Sequence, residues 1–203
     1  MKFRAHCLTA LLAVALVNFS ATPASANFGS YPCTGTPASC PSLANNYLHS
    51  VRWNSINLFY GIGIASQWAL DNVYDPTDLH AYRDDSDPYP DVHLWDEDYG
   101  DNGVVGWAVC GSSNSGIWGT DPYRSCRGQS VSYNAYYYFT TTEFDTDTQR
   151  RKLACHELGH TVGLRHFQEN HAGIGSCMYT PAGSASTTGL SSIDVQHIND
   201  YYS

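Results

Sequence analysis

In the segment His156-Glu157-Leu158-Gly159-His160-Thr161-Val162-Gly163-Leu164-Arg165-His166, three imidazoles and one carboxylate stand at offsets that constrain the local fold. Residues four apart share one face of a helix, so His156 and His160 point side by side. Gly163 can take positive φ without a Cβ penalty, so the helix is expected to end there and the chain to turn back. That reversal brings His166 toward the same point. Three histidines that leave one position open are the ligand set of a catalytic zinc ion. Glu157, next to the first of them, would sit where it can handle the proton of a water at the metal. The competing reading is an ordinary helix with coincidental histidines; five residues at fixed offsets argue against it.

Residues 1–26 read as a secretory signal peptide. Lys2 and Arg4 form a basic start, Cys7 to Val17 is mostly apolar, and Ala24-Ser25-Ala26 offers small residues for cleavage. The apolar run is about half the ~20 residues that span a bilayer. Residues 27–203 are then expected to form one exported domain. Lys2 and Arg4 are two of ten basic residues, and all nineteen acidic residues lie beyond them, so the mature chain carries a net charge of −11. Such a chain is not expected to bind nucleic acid or anionic membranes by charge. It is expected to be secreted and monomeric.

Six cysteines remain: Cys33, Cys40, Cys110, Cys126, Cys155 and Cys177. An even count in an exported chain argues for three disulfides, with 15 connectivities open. Sequential pairing, Cys33–Cys40, Cys110–Cys126 and Cys155–Cys177, is the reading adopted. Cys155 immediately precedes the first candidate ligand and Cys177 lies beyond the third, so that bridge would tie the helix to the loop beneath the metal. No C-x2-C pair supports the alternative of thiolate zinc ligands.

Residues 27–50 are rich in Pro, Gly, Ser and Thr and read as irregular. Ile62, Ile64, Ala65, Trp68, Ala69 and Val73 form a helical stripe over roughly 60–74, ended by Asp75-Pro76. Residues 84–90 read as a surface loop. Asp91 to Trp95 alternates like a strand and runs into the acidic turn 96–103, where the carboxylates of 96–101 are a candidate calcium site without EF-hand spacing. Val104 to Cys110 reads as a strand, and so does Ser130 to Phe139 with its cluster of tyrosines 136–138. Asp145 to Thr148 offer N-caps for a helix running to Gly163. Ser191 and Asp194 resemble a capping box opening a C-terminal helix, with Ile193, Ile198 and Tyr201 expected inward.

The eleven-residue segment resembles the H-E-x-x-H-x-x-G-x-x-H signature of the metzincin zinc peptidases. Met178, the one methionine after residue 26, follows His166 by 12 residues, within Ser176-Cys177-Met178-Tyr179. It resembles the Met-turn that underlies the three histidines in that family. Met178-Tyr179 with a proline soon after, and the tail from Leu190 to Ile198, look most like the matrixin branch in its bacterial secreted form. Over residues 50–203 the resemblance implies an α+β fold: a mixed twisted sheet, an active-site helix, the Met-turn and a C-terminal helix. It divides the domain into an upper part, 27–163, and a lower part, 164–203. It also implies that Val104 to Cys110 pairs with bound substrate, and that Gly163, Met178 and Tyr179 support the site.

Departures from the family are plain. Thr180 stands where astacins and serralysins place a metal-binding tyrosine. His80 and His93 do not reproduce the spacing of the matrixin structural zinc, so none is expected. Cys33 faintly resembles a latency cysteine, but that use would leave an odd number of thiols.

The resemblance implies a zinc-dependent endopeptidase acting on protein or peptide substrates, with His156, His160 and His166 as ligands and Glu157 as general base. The rivals are a non-catalytic zinc-binding module on a peptidase scaffold and a hydrolase of another amide. Glu157 argues against the first and the Met-turn against the second.

Overall fold

The computed structural model describes residues 44, 46–55, 61–110, 126, 128–140, 144–166, 175–179 and 187–203. Among these residues five strands form one sheet: β1 (Leu48–Ser55), β2 (His80–Arg83), β3 (Val92–Glu97), β4 (Gly106–Cys110) and β5 (Gln129–Asn134). Their order is β2-β1-β3-β5-β4; the first four run parallel, and β4 pairs antiparallel with β5 at the edge. Parallel strands need crossover connections, and α1 (Ile62–Ala69) lies on the path from β1 to β2. Two further helices matter to the site: α3 (Asp147–Thr161) and α4 (Ser192–Tyr202); the short α2 (Ala135–Thr140) follows β5. This is the mixed α+β architecture expected.

The core lies between the sheet and the pair α1 and α3. Val51, Val92, Leu94, Val131 and Tyr133 of the central strands meet Ile62 and Ala69 of α1 and Ala154 and Leu158 of α3, all buried. Each large apolar side chain buried this way contributes about 1.5–3 kcal/mol. From Lys152 to Thr161, α3 is buried on nearly every face, with His156 the partly open exception. A helix that threads the core in this way needs no clean apolar stripe.

Four expectations require correction. The stripe over 60–74 is not one α-helix: α1 ends at Ala69 and Leu70–Tyr74 continue as a π-helical turn, with Asp75 N–H donating to Leu70 O at 2.9 Å. The tyrosines 136–138 are helical, not strand. Asn134 Oδ1 accepts the N–H of Tyr136 at 3.2 Å, ending β5 and opening α2. Strand β1 begins at Leu48, inside the segment expected to be irregular; its polar His49 and Ser50 are buried, His49 Nε2 against the Thr161 hydroxyl and Ser50 N–H donating to Asp91 Oδ2. On α4, Tyr202 is buried and Tyr201 is 48% exposed, since the inward face is Asp194, Ile198 and Tyr202 at i, i+4 and i+8.

The capping box opening α4 is present, with Ser191 and Asp194 exchanging bonds. The acidic turn is held by local bonds. Asp98 Oδ1 accepts Gly100 N–H at 2.8 Å, Asp101 Oδ1 accepts the Tyr137 hydroxyl at 2.9 Å, and the Asn134 side chain reaches Gly100 O and Val104 O. Among the described residues these carboxylates do not converge on a metal-sized point, so calcium at 96–101 finds no support. No helix among the described residues is long and apolar enough to cross a membrane. The signal peptide and the Cys33–Cys40 pair lie outside the described residues, and Cys110–Cys126 rests on a Cys110 side chain that is not described.

Candidate metal centre

Helix α3 opens at Thr146, whose hydroxyl accepts Gln149 N–H, and closes on Val162. Its end is a Schellman turn. Leu164 N–H donates to Gly159 O at 3.0 Å, Gly163 N–H lies 3.4 Å from His160 O, and Gly163 takes φ 98°. The same turn orients a candidate ligand, because Leu164 O accepts the Nδ1–H of His160 at 2.7 Å. The chain then reverses and carries His166 to the two helical histidines.

The three Nε2 atoms form a nearly equilateral triangle: His156 to His166 2.9 Å, His160 to His166 3.0 Å, and His160 to His156 3.2 Å. A carbonyl oxygen only accepts, so His160 Nδ1 must carry its proton toward Leu164 O, and His156 Nδ1 must carry its proton toward Cys177 O at 2.8 Å. Both Nε2 atoms are therefore bare lone pairs while the rings are neutral. Burial lowers the pKa of all three histidines, His160 to about 4, and keeps them neutral; the neighbouring rings add to this at His156 and His160. At most one of the three contacts, from His166, can then be a hydrogen bond. The rest set lone pair against lone pair, an arrangement that a cation among them relieves. A tetrahedral zinc with nitrogens at about 2.0–2.1 Å has N···N separations of about 3.3 Å. The donor set and its spacing fit that ion. Among the described residues, no other group of three metal-ligating side chains comes together.

Around this triangle the supports are specific. Cys155 and Cys177 are joined by a disulfide, which ties α3 to the residue whose carbonyl orients His156. Met178 is fully buried beneath Gly159, where an added Cβ would meet its sulfur at 2.5 Å. Tyr179 is half-buried against the core. Tyr74, delivered by the π-turn, donates its hydroxyl to Cys155 O, and Thr161 is held by His49 and Gln129. Sequence reasoning missed Tyr74, His49 and Gln129. The one signal for Tyr74 was its place just before Asp75-Pro76, where the helix had to stop.

Glu157 is buried beside the triangle, and burial raises its pKa from 4.5 to about 8. A cation nearby favours the ionised carboxylate instead. Its side chain packs on Gly106 of β4, where an added Cβ would come 3.0 Å from Oε1. Glu157 and the three histidines form the floor of a cavity of about 290 Å³ between β4 and α3. His80 and His93 stand apart from it, bonded to Asp75 and Asn54.

The chain is similar in fold to myroilysin. A crystal structure of that protein superposes with a TM-score of 0.52 at 13% identity, covering 97% of this chain and 99% of the other. A second myroilysin structure gives 0.53 at 12% identity, over 79% and 82% of the two chains. At such identity the likeness speaks to the fold alone. No protein-family model matches the chain, and no curated protein matches it in sequence.

Proposed function

We propose that the chain is a secreted zinc endopeptidase of the metzincin type, with His156, His160 and His166 holding the ion and Glu157 as general base. The observation that carries this reading is the triangle of Nε2 atoms at 2.9–3.2 Å beside a buried carboxylate. Zinc, when bound, supplies a Lewis acid that polarises a carbonyl and acidifies water.

The chain's own groups do the rest. The carbonyls of Leu164 and Cys177 hold two imidazoles in the tautomer that presents Nε2. Glu157 takes the proton of the attacking water on its carboxylate and passes it to the leaving amine. Gly106 leaves the room that carboxylate occupies. Among the described residues strand β4 is the edge of the sheet and it lines the cavity, so an extended peptide can pair with it as a further strand. The matrixin likeness of the Met178-Tyr179 turn supports that branch. The deciding assay is casein hydrolysis by the purified chain: activity lost to a chelator or hydroxamate and restored by zinc supports the reading, and undiminished activity in chelator overturns it.

A further inference from the structure

The Tyr74 hydroxyl meets α3 between two of the candidate ligands. Tyr74 closes the π-turn Leu70–Tyr74 and is fully buried. Its backbone is pinned, because Tyr74 O accepts Thr77 N–H at 2.9 Å and the Thr77 hydroxyl at 2.6 Å. Asp75 N–H reaches back five residues to Leu70 O, so the turn takes in one residue more than an α-helix would. Single π-turns of this kind are found most often at functional sites. This one carries the phenol onto α3, where its hydroxyl donates to Cys155 O and a Cβ on Gly159 would stand 3.0 Å from it. Cys155 and Gly159 are the residues immediately before His156 and His160. In an α-helix the carbonyl of residue 155 takes the amide of 159, which leaves its second lone pair for the phenol.

A small rotation of this turn is amplified at the ligands, since Nε2 of a histidine lies well outside the helix radius of about 2.3 Å. The carbonyls of Leu164 and Cys177 orient the two rings, whereas the phenol acts on the backbone that carries both. We propose that Tyr74 is a positioning residue for the metal centre: its hydroxyl, held by the π-turn against Cys155 O and Gly159, fixes the helical turn from which His156 and His160 project and keeps their Nε2 atoms at metal-binding spacing. The inference rests on the reading that His156, His160 and His166 hold zinc, which zinc uptake by the unmodified chain tests separately. A phenol that served packing alone would contribute to folding without touching metal affinity.

The test compares Tyr74→Phe with Tyr133→Phe. Each deletes the hydroxyl of a fully buried tyrosine and keeps the ring, but the Tyr133 hydroxyl is bonded to Ser66 of α1 at 3.2 Å rather than to α3. Zinc affinity is read by competition against a chromogenic chelator, and ligand geometry by the visible absorption bands of the cobalt(II)-loaded protein. Tyr74→Phe should weaken zinc binding roughly tenfold, the scale on which the partners behind a metal's ligands act, and should shift the cobalt bands. Tyr133→Phe should lose stability in urea and leave both metal readouts unchanged. Should Tyr74→Phe fail to fold, Thr77→Val takes its place: it removes one bond from the π-turn carbonyl, keeps the phenol and should weaken zinc in the same direction. Zinc uptake by the unmodified chain, with affinity and bands unchanged in the Tyr74 variant or its stand-in, overturns the role of Tyr74 alone. An equal loss of affinity in Tyr133→Phe also overturns it, because affinity would then follow stability. No zinc uptake by the unmodified chain sinks the metal reading and this inference with it.

Discussion

Gly159 lies against the sulfur of Met178: a Cβ at position 159 would stand 2.5 Å from Sδ and 3.0 Å from the Tyr74 hydroxyl. The glycine between the second and third motif positions is therefore a packing requirement, and the methionine is the surface it packs on. Gly159→Ala should destabilise the chain by about 1–3 kcal/mol through overpacking. Met178→Leu, which conserves volume, should cost less than about 1.5 kcal/mol, and Met178→Ala about 2–5 kcal/mol. Urea unfolding of the three variants tests the ranking; a Gly159→Ala protein as stable as the parent would show that this contact is not a constraint.

The Cys155–Cys177 bridge spans 22 residues and holds the carbonyl that orients His156. Constraint of the unfolded chain by a loop of that length contributes about 3 kcal/mol. Replacing both cysteines with alanine should lower the unfolding free energy by about that much and weaken zinc binding, read by competition against a chromogenic chelator. Unchanged zinc affinity in the double variant would mean that His156 is held well enough without the bridge.

How far these relationships were legible depends on their range along the chain. The histidines, Glu157 and the turn at Gly163 lie within eleven residues, and helical spacing plus one positive-φ glycine is enough to bring them together. The capping box at Ser191 and Asp194 is equally local. Tyr74 is different, because its place depends on a π-turn that no periodicity announces and on a carbonyl 81 residues away. The switch from β5 to α2 at Asn134 overrides the strong β propensity of three tyrosines, because that side chain bonds Tyr136 and the 100–104 turn at once. Strand β1 was hidden because His49 and Ser50 look like surface residues until Thr161 and Asp91 are placed against them.

His49 also sets a pH dependence. The Thr161 hydroxyl donates to Leu158 O, so His49 must donate to Thr161 from Nε2, and among the described residues its buried Nδ1 has no hydrogen-bond partner. Burial lowers the pKa of His49 from 6.5 to about 4. The unfolded chain then takes up the proton before the folded one does. Its contribution is intact above pH 6.5 and is lost as pH falls toward 4, by up to roughly 3 kcal/mol. Metal-free protein should unfold more easily across that window, and His49→Gln should flatten the slope. A slope identical in the variant would move the effect to other groups.

The most direct test of the central claim is Glu157→Gln, assayed for zinc content and casein hydrolysis together. The amide keeps the shape of the side chain beside Gly106 but cannot take a proton from water. The variant should bind one zinc ion as tightly as the parent and lose hydrolysis by about 10²–10⁴-fold. Near-normal hydrolysis by a zinc-loaded Glu157→Gln chain would contradict the assignment of Glu157 as the base, and with it the mechanism proposed for this site.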